Sequence, residues 1–314
     1  MRRLRGATTK SSVTAQSTGY ATLKLVERPF LSSIQQPNFR STEVNTDHVG
    51  FRMQYDRGGV RLDLATIATQ YDTCDVLLGG SVAFGIGVSS DTATLAAQLA
   101  DPGVPCVNLG IRGATSQQEL AAFLALESSL PKVRRVILLT GVNECILAAH
   151  PVAEVFDVFG GGFLSQARSA RHTDLERPLD EEIASDRLEL LLKRAAGNLR
   201  TWGRLRRAFG LDLTVVIQPV AGWTRKQLSR AERSALSEER RHIQSAEWVS
   251  GTPRYQAVAG ALRSAAADNE IACVDSNPWF DHAPSDQTFF TDVCHLTDQG
   301  TGYLAGRLRE YWCL

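Results

Sequence analysis

Four short stretches of this sequence hold residue types that together could do acyl-transfer chemistry: Gly79-Gly80-Ser81, Asn108 to Gly113, Gly141-Val142-Asn143-Glu144, and Asp292-Val293-Cys294-His295. They offer a hydroxyl nucleophile, donors for a developing oxyanion, and an imidazole base with a carboxylate to orient it. Singly none is informative, because Gly-Ser pairs, Asn-containing turns and a lone His occur in most chains. Their order, and the elements that must position them, carry the reading.

Ser81 follows Asp75 to Leu78, an apolar run bounded by turn-forming residues that reads as a buried parallel strand. A Ser at the carboxyl end of such a strand lies where ligands of open α/β sheets collect. The plainer reading is a Ser in a tight turn that satisfies backbone groups. Val104 to Asn108 is a second strand, and its Gly-containing exit loop feeds a helix over about 117–130. Gly113 in that loop could aim its backbone N–H at an oxyanion without a side chain in the way. Val133 to Leu139 is a third strand, and Asn143 at its exit offers an amide donor, or alternatively a helix cap. Asp292 and His295 stand three residues apart before a helix over about 298–311, a spacing that can seat a carboxylate under one ring nitrogen in a turn. Asp281-His282 is a competing pair, but adjacent side chains point apart, so it reads as a surface pair. Cys294 beside His295 is discounted as a nucleophile on the same ground.

These blocks resemble the SGNH (GDSL-type) hydrolase family, over roughly Asp75 to Tyr311, and Asn108 to Gln118 looks especially close to esterases and thioesterases of that family. The resemblance implies Ser81 as nucleophile and backbone donor, Gly113 as second donor, Asn143 as side-chain donor, and His295 with Asp292 as the base pair. Two departures stand out: Gly-Gly-Ser replaces the family's Gly-Asp-Ser, and Gly-Val-Asn-Glu replaces Gly-x-Asn-Asp. Gly80 removes a carboxylate acceptor from the loop, so Ser81 is expected to depend on substitute hydrogen bonds, from Asn108 or Ser89. Gly-Gly-Ser-Val-Ala-Phe-Gly together with Gly50-Phe51-Arg52 resembles SGNH proteins that accompany bacterial polysaccharide or secondary-metabolite pathways. The function implied is a serine esterase that removes a short acyl group, such as acetyl, from a carbohydrate or small metabolite. Transfer of the acyl group to another hydroxyl, or a catalytically weak binding or scaffold role, are the alternatives. With an imidazole near its ordinary pKa of about 6.5, esterase activity is expected to rise through roughly pH 6 to 8.

The rest of the chain frames this reading. In 314 residues, 43% hydrophobic, one large core can be buried. Strands near 75–78, 104–108, 134–139, 213–218 and 271–274 alternate with helices near 91–100, 117–130, 252–268 and 298–311. The expected fold is therefore α/β, a three-layer, flavodoxin-like parallel sheet of about five strands with helices on both faces. Residues 1–45, rich in Ser, Thr and Gln, read as a flexible or surface-strapping segment before a single domain over 46–314. Two charged helical insertions, about 145–211 and 224–250, leave the sheet on the ligand side and could form a lid or a homo-oligomer surface, although solvated helix faces are the plainer reading. Arg112, Glu144, Trp223 and Trp279 are candidate substrate contacts; core roles for the two tryptophans are equally compatible with the sequence.

The formal net charge is zero and no basic block carries interleaved aromatics, so nucleic acid is not an expected partner. No apolar run is long enough to span a bilayer, and no signal-like core follows Met1-Arg2-Arg3-Leu4-Arg5, so a cytoplasmic location is expected. The six cysteines lack a Cys-x-x-Cys pair and the six histidines lack ligand spacing, so neither disulfides, a metal nor a cofactor is expected.

Overall fold

The computed structural model describes residues 18–150, 180–242 and 245–313. Its centre is a five-stranded, wholly parallel sheet built from β5 (Thr73–Gly79), β6 (Cys106–Asn108), β7 (Lys132–Thr140), β8 (Asp212–Ile217) and β9 (Ala272–Asp275). The spatial order β6-β5-β7-β8-β9 is the flavodoxin-like 2-1-3-4-5 arrangement. Val76, Leu77, Leu78, Val215, Val216 and Ile217 are fully buried, as expected of strands covered on both faces. Two antiparallel pairs precede the sheet: β1 (Leu25–Arg28) with β2 (Ser32–Gln35), and β3 (Gln54–Tyr55) with β4 (Arg61–Leu62).

The helices are α1 (Thr18–Thr22), α2 (Leu64–Gln70), α3 (Ser81–Phe84), α4 (Leu95–Leu99), α5 (Ser116–Leu126) and α6 (Val142–Ala148), followed by α7 (Glu181–Phe209), α8 (Arg230–His242), α9 (Ser245–Ser250), α10 (Thr252–Ala267), α11 (Asn277–Phe280) and α12 (Asp298–Tyr311). They flank the sheet in two groups, α5, α6, α7 and α10 in one and α4 with α12 in the other. The long α7 is capped by Asp180, whose carboxylate accepts from Ile183 N, and is stopped by Gly210. Leu188, Leu191, Leu192, Ala195, Leu199 and Trp202 recur at helical spacing along its inner face, and Trp202 stacks obliquely on Phe123 of α5 with ring centroids 4.9 Å apart. The Gly160-to-Gly162 stretch upstream of α7, part of the 145–211 insertion, lies outside the described residues.

Residues 18–45 lie against the domain. Tyr20, Leu23 and Val44 are buried with Phe84 and Ile86 in a small apolar cluster beside the Ser81 loop. The Tyr20 hydroxyl stands 2.7 Å from Gly85 O and 2.8 Å from Val88 O. Arg52 is completely buried; its Nε donates to Asp91 Oδ1 and its Nη1 to Gly85 O at 3.0 Å. The buried guanidinium thus ties the residues before the sheet to the loop that follows the first sheet strand. Among the described residues, no helix is long and apolar enough to cross a membrane.

Candidate active site

Strand order reverses at β5, between β6 and β7, and in open parallel sheets a crevice forms outside the carboxyl ends at such a point. Ser81 stands two residues past the end of β5 and Asn143 three past the end of β7, so both lie at this switch point. Ser81 begins α3, and Gly85 closes that turn in the left-handed conformation. Asn108, at the end of β6, donates from Nδ2 to Ala83 O at 2.8 Å and accepts from Gly110 N at 2.9 Å. This is one of the two substitute supports expected from the sequence. Ser89 is engaged elsewhere, with both its N–H and its hydroxyl on Asp298 at the start of α12.

His295 reaches Ser81 from the segment that precedes α12. Its Nε2 lies 2.7 Å from Ser81 Oγ, and its Nδ1 lies 2.7 Å from Asp292 Oδ2. The other oxygen of Asp292 accepts from the backbone N–H of Cys294 at 3.0 Å and of His295 at 2.8 Å, which is why a three-residue spacing seats the carboxylate under the ring. An ionised carboxylate can only accept, so in the neutral imidazole the proton sits on Nδ1 and the Nε2 lone pair faces the serine hydroxyl. Burial alone would push the imidazole pKa down, but the charge and hydrogen bond of Asp292, with Cys294 adding, hold it well above 6.5. Burial pushes Asp292 up in turn, and His295 together with the two N–H donors overcomes it and keeps the carboxyl below its usual value.

The loop after β6 connects the two crevice walls. Ile111 N donates to Gly79 O at 3.0 Å, Ala114 N closes a turn on Ile111 O at 3.0 Å, and Gly113 inside that turn takes a φ of +75°, a conformation natural to glycine. Ala114 O then accepts from Asn143 Nδ2 at 2.6 Å. Asn143 lies inside the first turn of α6, after Gly141 at the N-cap position, so it does not cap that helix. One amide hydrogen is thereby committed to Ala114 O, which fixes the orientation of the group.

The four other candidate contacts sit differently. Glu144 is 2% exposed, and its Oε1 accepts from Ser116 N at 2.8 Å, so it braces the start of α5 instead of lining a binding surface. Trp223 is 5% exposed; its indole N–H donates to Val249 O at 2.8 Å and its ring packs on Tyr255, a core position. Arg112 donates to Leu23 O at 3.1 Å, holding the N-terminal segment. Trp279 is half-buried under Arg307, and its carbonyl accepts from Tyr303. Asp281 accepts from Arg225 N at 2.7 Å, far from any role with its neighbour His282, which is exposed. Cys294 is buried and burial raises its thiol pKa, so the thiolate is disfavoured.

Sequence reasoning missed a set of groups that hold the His295 segment: Lys226, Glu232 and Glu239, all from the 224–250 stretch. Two glutamates at a seven-residue spacing were the only available signal. Among the described residues, one cluster has metal-ligand chemistry, Asp292, Cys294 and His295, and both its ring nitrogens are already engaged by Ser81 and Asp292. A cavity of about 200 Å³ lined by Phe123, Leu130, Lys132, Phe209 and Leu211 opens at the amino ends of β7 and β8, on the opposite edge from Ser81.

No family model and no curated protein matches the chain. Solved structures do resemble it. An acetyl xylan esterase is 12% identical with a TM-score of 0.45, over 76% of this chain and 98% of the other. TesA is 15% identical with a TM-score of 0.45, over 76% of this chain and 96% of its own. A member of the lipolytic G-D-S-L family from Veillonella parvula is 12% identical with a TM-score of 0.44, over 77% and 98%. Likenesses this distant assign no role to any residue of this chain.

Proposed function

We propose that this chain is an SGNH-type serine hydrolase that cleaves an ester through Ser81, His295 and Asp292. One observation carries the reading: a continuous hydrogen-bonded series from Ser81 Oγ through His295 to Asp292, with 2.7 Å at each step, at the crevice end of the sheet. His295 Nε2 takes the hydroxyl proton as Ser81 Oγ attacks the ester carbonyl, and Asp292 stabilises the imidazolium that results. The tetrahedral oxyanion is held by the N–H groups of Ser81 and Gly113 and by the second amide hydrogen of Asn143. His295 then returns the proton to the departing alcohol, and water attacks the acyl-enzyme by the same route to release a carboxylic acid.

The substrate we propose is a short acyl ester, acetyl first, on a carbohydrate or small metabolite. That choice rests on the resemblance of the Asn108-to-Gln118 and Gly79-to-Gly85 stretches to family members of that kind. The deciding experiment is labelling with a fluorophosphonate in wild type and Ser81→Ala, alongside hydrolysis of p-nitrophenyl acetate. Labelling and turnover that both vanish in Ser81→Ala support the reading. An unlabelled wild type, or equal turnover by the variant, overturns it.

A further inference from the structure

The charged stretch after β8 does more than solvate a helix face. Glu232 and Glu239 of α8 are seven residues apart, close to two full turns, and therefore share one side of the helix. That side meets the segment carrying Asp292 and His295. Glu232 Oε1 accepts from Phe289 N at 2.8 Å and Phe290 N at 3.1 Å, while its Oε2 accepts from Ser229 N at 2.6 Å and Lys226 Nζ at 2.7 Å. The Lys226 and Glu232 side chains are both 0% exposed, and such a pair is tolerable only because the carboxylate is satisfied on every side. Two helical turns along, Glu239 Oε2 accepts from Val293 N at 2.7 Å. One helix face thus grips the backbone on both sides of Asp292.

Glu239 differs from Glu232 in its surroundings. It is half-buried, and the groups facing it are Asp292, Cys294 and His295 from the turn and Arg240 from its own helix. Burial and then the Asp292 charge push its carboxyl up to about 7, against the lowering effects of the Val293 N–H, His295 and Arg240. Coulomb interaction is mutual, so an ionised Glu239 favours the protonated imidazole as much as the imidazolium favours ionised Glu239.

We infer that Glu239 is a positioning residue of this site: through Val293 N–H it fixes the turn that sets Asp292 under His295, and its negative charge adds to the field on the imidazole. The inference builds on the hydrolase reading for its kinetic consequences, but its electrostatic consequence is independent of turnover.

The experiment compares wild type, Glu239→Gln and Glu239→Ala, with folding checked by circular dichroism. Gln keeps an acceptor for Val293 N–H and removes the charge; Ala removes both. The His295 ring proton is followed by NMR titration, and kcat and KM are measured on p-nitrophenyl acetate. In Glu239→Gln the His295 midpoint should move to lower pH with kcat on the alkaline plateau close to wild type. In Glu239→Ala kcat should fall about ten- to a hundredfold with little change in KM, as expected of a misplaced base. A His295 midpoint that stays put in Glu239→Gln, or a wild-type kcat in Glu239→Ala, overturns the inference. Should wild type show no Ser81-dependent turnover, the hydrolase reading falls, and the NMR titration still decides whether Glu239 acts on His295.

Discussion

The amide nitrogen of Asn143 occupies the place where a side chain on residue 80 would begin: a Cβ built on Gly80 would stand 2.1 Å from Asn143 Nδ2. The backbone at Gly80 has a φ of −83°, outside the left-handed region that favours glycine, and the space a side chain would need is already taken by Asn143. Gly80 and Asn143 are thus complementary. The carboxylate missing from the Gly-Gly-Ser stretch leaves room for the Asn143 amide, which Ala114 O holds in place.

The first prediction follows from that contact. In Gly80→Ala the new methyl group and the Asn143 amide cannot both keep their places, and Asn143 is the movable partner. Turnover should fall by about a hundred- to a thousandfold, the usual cost of losing one oxyanion donor, with the melting temperature nearly unchanged. Asn143→Ala should cost as much alone, and the double variant little more than either, because both remove one interaction. Additive losses in the double variant would show that residue 80 acts on something other than Asn143.

The pH dependence differs from what an isolated imidazole would give. On the proposed mechanism His295 must be neutral to accept the serine proton, so activity should rise as pH passes upward through its pKa. Because Asp292 outweighs burial and holds that pKa well above 6.5, the acid limb of kcat/KM should have its midpoint above 6.5. Asp292→Asn removes the charge and the acceptor. It should move the limb to lower pH and cut kcat by about 10⁴-fold, as loss of the correct tautomer does in serine hydrolases of this arrangement. A limb unmoved between the two proteins would mean that another group is being titrated.

What was legible in the sequence was local. The Val/Leu-rich strands announced the sheet because burial on both faces requires uninterrupted apolar runs, and Ser81, Asn143, Asp292 and His295 could be singled out because each sits at a strand exit or in a short turn. Contacts between distant segments were not legible. Glu232 bonds Phe289 across 57 residues, and no periodicity within α8 reveals what its inner face will meet. Glu144 looked available because acidic residues usually are, yet it is buried against Ser116 N. The absent acidic residue at position 80 was visible; the amide that fills its space, coming from the end of another strand, was not.

A third prediction concerns the pair that joins the N-terminal segment to the Ser81 loop. Arg52 and Asp91 have side chains 0% and 3% exposed, and Arg52 also donates to Gly85 O at 3.0 Å. Arg52→Ala leaves the Asp91 carboxylate buried beside Asn45 without its guanidinium, a change that costs about 3–5 kcal/mol. The melting temperature should drop by about 5–8 °C for a chain of this size, measured by calorimetry at neutral pH. A drop under about 2 °C would mean that the pair adds little to holding the loop.

The last prediction lies behind the Asn143 wall, where Glu119 and Glu144 are each 2% exposed, and Glu119 Oε1 and Glu144 Oε2 have no hydrogen-bond partner among the described residues. Burial, then the charge of Glu144, pushes the Glu119 carboxyl well above its usual range, with the Thr140 hydroxyl opposing. The folded protein therefore holds a proton there that the unfolded chain releases above its ordinary pKa of about 4.3. In that window the native state binds more protons, so stability declines as pH rises towards the folded pKa. Glu119→Gln has no proton to lose, and its amide can donate to a neighbouring carboxylate. The variant should melt higher than wild type at pH 8, with a gain that shrinks as the pH is lowered to 5, as the same scan at both pH values would read. An equal gain at the two pH values would mean that packing, and not the buried charge, sets the difference; a loss at pH 8 would mean that ionised Glu119 is stabilised in the native fold.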